Sequence, residues 1–376
     1  MSSTTSARHA RRRTRIAAAG AATALLSATA LVTGATGASA ATANAGTSNA
    51  APGIKLPAGF HASVFAKGGK LTGPDDITEL DGHVFVGYQN GVGPNGEPSP
   101  TGNTKSAVVE YTLQGKVLGS WSLTGKVDGL GADAQRHFVI ATTNEDSSSG
   151  LSTIKPLGDG RVEIKHYKYS QNPLPHGGGT DSVIVRNGVI YLSASNPSAD
   201  ANGTTFSGPA LYTAELDGGT AVVKPVLNDN STAVDAVTGK QVTLNLSDPD
   251  SSEVVPQAVP RFGNDVLLDS QGDGELIFLH HPDSRHQTAT VLHISTQVDD
   301  SAFATEPCGT LLVVDNGLGE ILTVTGPFQR GEAFAAVPND STVIPGNLAT
   351  VNLSTGQVTA FGSGFANPHG LLFVEH

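Results

Sequence analysis

The chain has 376 residues, 38% hydrophobic, 5% aromatic and 15% charged, with 45 Gly and 21 Pro. That is enough length and apolar content for a large core, too many turn formers for a helical bundle, and too few charged tracts for disorder. A net charge of -12 argues against a nucleic-acid partner, because nothing compensates phosphate repulsion.

Residues 1–40 carry Arg8, Arg11, Arg12, Arg13 and Arg15, no acid, and an apolar run from Ile16 to Val32. Ala38-Ser39-Ala40 fits the small-x-small pattern of a signal-peptidase site, with Ala43-Asn44-Ala45 as the alternative. The segment therefore reads as a signal peptide, by the general or the twin-arginine route, and the protein as secreted. Its removal would take the net charge from -12 to about -17, which suits a soluble extracellular protein that repels anionic membranes. No lipidation cysteine and no apolar C-terminal tail suggests a membrane anchor in the mature form. Cys308 is the only cysteine, so an internal disulfide is impossible, and its Glu-Pro-Cys-Gly setting lacks the positive charge of a reactive thiol. Residues 41–53, rich in small polar types, read as a flexible lead-in, and 54–376 as one domain, expected to be a monomer.

From Gly59 onward short apolar runs alternate with turns, with almost no helical periodicity. Phe60–Ala66 reads as an outer strand. A unit then recurs: an Asp at the head of a short strand, a turn, a second strand and a polar tip. Asp75, Asp128, Asp181, Asp250 and Asp299 head five copies, and His369 a truncated sixth, at intervals of 49–70 residues. The tips carry Asn90, Asn144, Asn196, Asp273 and Asn316. One or two further strands follow each tip, giving about four per unit, the blade of a β-propeller. Six starts predict six blades, with seven as the alternative, because the long units carry extra residues near Asn228–Leu246 and Pro338–Gly346. The unit headed by Asp299 takes Thr310–Val314 as its second strand. Pro368–Val374 repeats the first strand with nothing after it, so the C-terminal strand should close the ring in a blade shared with the N-terminus.

Val127-Asp128-Gly129-Leu130, Pro368-His369-Gly370-Leu371 and second strands such as Leu311–Asn316 resemble those of the NHL-repeat and regucalcin/gluconolactonase-like superfamily of six-bladed propellers. The chain is also similar to a group of secreted actinobacterial propellers. The resemblance spans roughly Gly59 to His376 and implies fold more than function. It implies a divalent cation held by acids and asparagines at the channel mouth; here His369 replaces the Asn of Pro-Asn-Gly-Leu, and the N-terminal Glu ligand is missing.

Blade topology puts first-strand heads and second-strand tips on one face. Asp75, Asp128, Asp181, Asp250 and Asp299 are therefore candidate ligands of Ca²⁺ or another divalent cation, with Asp76 and Asp300 beside them. The same acids could instead cap turns through backbone N–H groups. His369 and His176, the latter in a Gly-rich loop at the same face, are candidate catalytic bases. His280, His281 and His286 fall in a turn on the opposite face and match no zinc spacing. Trp121 sits in an apolar strand and reads as core. No Gly-x-Ser-x-Gly, His-Glu-x-x-His or phosphate-loop motif occurs. Two function classes remain: a cation-dependent ester or lactone hydrolase, or a non-catalytic propeller that binds a peptide, glycan or cell-surface partner.

Overall fold

A computed structural model describes residues 50–376 apart from 52 and 283. The leader and its cleavage sites lie outside the described residues, as does most of the lead-in. Twenty-six short strands and one 3-10 turn make up the regular structure of the described residues. Alternating apolar residues and Gly, Asn or Asp turns dictate that pattern.

The chain enters through β1 (His61–Lys67) and then forms four antiparallel meanders of four strands each. The first is β2 (Pro74–Leu80), β3 (His83–Tyr88), β4 (Lys105–Thr112) and β5 (Val117–Thr124). The second is β6 (Val127–Asp133), β7 (Phe138–Thr143), β8 (Gly150–Gly158) and β9 (Arg161–Tyr169). The third is β10 (Val183–Arg186), β11 (Val189–Ser193), β12 (Pro209–Asp217) and β13 (Thr220–Asn228). A hairpin, β14 (Thr232–Asp235) and β15 (Gln241–Thr243), comes before the fourth: β16 (Pro249–Val254), β17 (Val266–Ser270), β18 (Glu275–His280) and β19 (Thr288–His293). The hairpin pairs in parallel with β19 and covers that outer edge, which accounts for the extra residues near 228–246.

The remaining strands are β20 (Asp300–Phe303), β21 (Thr310–Asp315), β22 (Glu320–Thr325), β23 (Ala333–Val337), β24 (Asn347–Val351), β25 (Val358–Ala360) and β26 (Pro368–Val374). They do not follow the meander order. One unit runs β20-β23-β24-β25 and the other β26-β21-β22-β1. The expected second strand of the Asp299 unit, Thr310–Val314, thus belongs to the neighbouring unit, where Val313 pairs with Leu371. The chain leaves one blade after its inner strand, builds the middle of the next, and returns. The first and last strands of the described residues close that blade, with β26 innermost and β1 outermost, as the sequence suggested.

The inner strands β2, β6, β10, β16, β20 and β26 pack in that cyclic order, and β26 returns to β2. The result is a β-propeller. Its core lies between blades: Val84, Val86 and Val109 of the first unit pack with Leu312, Val314 and Ile321 of the last. Trp121 is buried beside Phe85, as expected of a core residue.

Candidate functional site at the channel mouth

A repeated backbone irregularity positions the site. In β2, three steps from Pro74 to Ile77 face two in β3, so Asp75 and Asp76 form a bulge. The same single extra residue occurs at Asp128-Gly129, Asp250-Ser251 and His369-Gly370. Such a bulge twists the strand and re-aims one side chain. Close packing between inner strands explains the glycines. A Cβ on Gly370 would lie 2.7 Å from the carbonyl oxygen of Asp75, and one on Gly129 would collide with that of Asp181.

The second acids of the Asp-Asp pairs have a different task. Asp76 accepts from the Ile77 N–H at 2.7 Å and from the Leu130 N–H of the next blade at 2.6 Å. Asp300 does the same with Ser301 and with Leu371 of its next blade, both at 2.7 Å. These two carboxylates join blades through strand N–H groups. Burial pushes Asp76 up to about 8 and Asp300 well above its usual range, despite those bonds.

The first acids pair among themselves and with two internal cations. The Lys126 ammonium lies 2.6 Å from Asp128 and 2.7 Å from Glu145, and all three side chains are buried. Burial opposes the charge on Lys126, but Asp128, Glu145, Asp75 and Asp181 outweigh it and hold its pKa well above normal. Gln89 donates to Asp128 at 3.4 Å, and Gln271, at the same place in a later unit, donates to Asp299 at 2.7 Å. Asp181 and Asp250 hydrogen-bond each other, which requires a proton between them; burial first, then like charge, pushes both well above the usual carboxylate range. His369 Nδ1 lies 3.0 Å from Asp75 and 3.1 Å from Asp299. Burial works against the imidazolium, yet Asp299 and Asp75 hold its pKa well above normal. Its Nε2 faces the Asn367 amide nitrogen at 2.8 Å, and the turn that presents it is anchored by Asp315, which accepts from the Ala366 and Asn367 N–H groups.

The expected cation ligands therefore line one mouth but do not form one cage. Among the described residues no three His, Cys, Asp or Glu side chains are disposed to hold a metal ion. Lys126, His369 and a shared proton already neutralise much of their charge. A donor set with an ammonium among its carboxylates does not fit a divalent cation.

His176 is at this end of the third blade but buried, not offered to solvent. Tyr212 OH donates to its Nδ1 at 2.8 Å, and its Nε2–H donates to the Gly179 carbonyl at 2.8 Å and that of Ser195 at 3.1 Å. Burial lowers its pKa to about 4, so it is a neutral brace for the glycine loop. Beside it, Asp229 is fully buried, with the Gly208 N–H as the one backbone group that favours its charge, and its pKa rises to about 7 through burial and the nearby Asp273.

The tips divide. Asn144 Oδ1 accepts from the Lys126 N–H at 2.9 Å and Asn90 Oδ1 from the Thr72 N–H at 3.0 Å. Asp273 accepts from the Ser247 N–H and from the hydroxyls of Ser247 and Ser270. These are braces for the mouth rather than part of it. His280 pairs with Asp265 at 2.7 Å at the far end of β18, away from the mouth. Asp75 (14%), His369 (21%) and Asp299 (21%) are partly exposed at the mouth, as are Asp181 and Asp250, with Lys126 beneath at 9%.

No family model matches the chain, and no curated protein does. Among solved structures, the chain is similar to the Xanthomonas campestris gluconolactonase XC5397, at 13% identity and a TM-score of 0.45, over 88% of this chain and 95% of that one. The periplasmic gluconolactonase PpgL of Pseudomonas aeruginosa gives 12% identity and 0.39, over 80% and 88%. A Lactobacillus plantarum protein gives 9% and 0.43, over 81% and 89%.

Proposed function

We propose that the mouth is an acid–base site that hydrolyses a small uncharged ester or lactone, with internal cations in place of a bound metal. One observation carries the reading: a single mouth holds carboxylates paired with His369 and a carboxyl pair that shares a proton. Carboxylates that can accept a proton and a carboxyl pair that holds one, side by side, are what acid–base catalysis needs. Asp299, held by Gln271 and His369, takes a proton from water as its oxygen bonds to the acyl carbon. The tetrahedral intermediate then collapses, the bond to the leaving alcohol breaks, and that oxygen takes the proton shared by Asp181 and Asp250, while Asp299 releases its proton to solvent and the pair takes one back. Neutral substrates are favoured because an anion would meet surplus carboxylate charge. The arginine-rich leader is the ground for placing the activity outside the cell.

The dense internal pairing also favours a second reading, a non-catalytic binding propeller whose mouth is a structural plug. Hydrolysis of δ-lactones and p-nitrophenyl esters, measured with and without a chelator, separates the two. The expected result is turnover that survives chelation and falls about a hundredfold or more in His369→Gln and Asp181→Asn without loss of fold. Turnover unchanged in both variants, or abolished by the chelator, refutes the mechanism. No turnover of either substrate class, with both variants merely less stable, supports the plug.

A further inference from the structure

On the face opposite the acids, the loop between β16 and β17 meets the turns that follow β22 and β24. Between them lies a pocket of about 510 Å³. Gly331 seals one wall: a Cβ there would approach the Ala258 carbonyl oxygen to 3.1 Å. Val259, Ala333 and Val351, each buried in the core, form the apolar floor of the pocket, and just two charged residues line it, Arg261 and Glu332.

Both are held in place from behind. The Arg261 guanidinium sits 4.9 Å above the Phe262 ring and donates to the carbonyls of Ala236 and Leu353, and Glu332 accepts the Gln329 N–H through Oε2 at 3.1 Å. Those contacts fix direction but leave hydrogen-bonding capacity, since a guanidinium has five N–H donors and a carboxylate two oxygens. A ligand with one charge would displace water from both wall charges and satisfy only one of them. A ligand with both signs satisfies both.

We propose that this pocket binds a zwitterion of the amino-acid type, a free amino acid or dipeptide with an aliphatic side chain. Its carboxylate meets Arg261, its ammonium meets Glu332, and its side chain packs on Val259, Ala333 and Val351. This site is independent of the mouth and of any reaction there.

Titration calorimetry on the mature protein tests it, with leucine and leucyl-leucine as ligands, and 4-methylpentanoate and isoamylamine as single-charge analogues. One of the zwitterions should bind at least about tenfold more tightly than either analogue. Arg261→Met should reduce that affinity to the level of the amine, and Glu332→Gln to that of the carboxylate, each with an unchanged circular-dichroism spectrum. Should Arg261→Met fail to fold, Glu332→Gln alone decides, because Gln can still accept the Gln329 N–H. No heat from either zwitterion at ten millimolar, equal affinity for the analogues, or wild-type affinity in a folded variant overturns the proposal.

Discussion

The buried state of His176 gives a sharp test through pH. Folding lowers its pKa from 6.5 to about 4, because burial disfavours the imidazolium and both ring nitrogens are already engaged. Between those values the unfolded chain binds a proton that the folded chain refuses. Stability from this group is therefore complete above pH 6.5 and is lost as pH falls toward 4. The full shift is worth about 3 kcal/mol, and about 2 kcal/mol of it is gone by roughly pH 5. Replacement by Gln removes the titration and costs about 1–3 kcal/mol in lost hydrogen bonds at neutral pH. Urea unfolding of wild type and His176→Gln at about pH 7.5 and pH 5 isolates the effect, since the other acids titrate in both proteins. The stability gap should narrow by about 2 kcal/mol at the lower pH. A gap that stays constant would mean that the ring is protonated in the fold and braces nothing in its neutral form.

The neighbouring Asp229 should behave in the opposite sense, because folding raises its pKa from 3.8 to about 7 and its cost grows as pH rises between those values. Asp229→Asn should gain on wild type by roughly 2–3 kcal/mol between pH 5 and pH 8, read from the same urea midpoints, and a flat difference would contradict its raised pKa. Gly129→Ala should unfold at much lower denaturant, since its Cβ meets the neighbouring inner strand, whereas Gly82→Ala, with open space around its Cβ, should lose only the strain of its positive φ. Equal losses at the two positions would show that the inner strands are not so closely packed. Deleting residues 368–376 removes the inner strand of the closing blade, including buried Leu371, worth about 2–5 kcal/mol as a Leu→Ala change alone. Expression assays and melting curves should show aggregation or early unfolding, and a truncated protein that melts like its parent would mean the ring closes by other contacts.

Much of the architecture is local information. Alternating apolar residues with Asn, Gly and Asp turns encode strands wherever they occur, and the recurring Asp-led head announced both the repeat and the bulges that aim Asp75, Asp128, Asp250 and His369. Lys126 was legible too, though missed. It stands two residues before Asp128, and the same position holds Gly73, Gly179, Asp248, Gln297 and Asn367 in the other units, so the repeat read two residues earlier exposes both the lysine and the Asn367 contact to His369. Gln89 and Gln271 sit in the tips already marked, but their bonds run to the next blade, which no single unit reveals.

Other features required the assembled ring. Thr310–Val314 has the same alternation whichever inner strand it joins, so only the crossing of the chain decides that it pairs with β26 and not β20. Asp75 and Asp76 are adjacent and chemically identical. One meets His369 because the bulge turns it to the channel, and the other bonds Leu130 because it turns to the next blade. The two histidines diverge for the same reason. Both are neighbours of glycine at one face, His176 in a loop and His369 in the bulge of β26, yet His369 stands between two carboxylates that favour its charge, while His176 is enclosed by groups that suit only the neutral ring. Sequence supplies the residue types and their periodicity; solvation and the charge of distant neighbours, which decide protonation, exist only once the six inner strands have closed on one another.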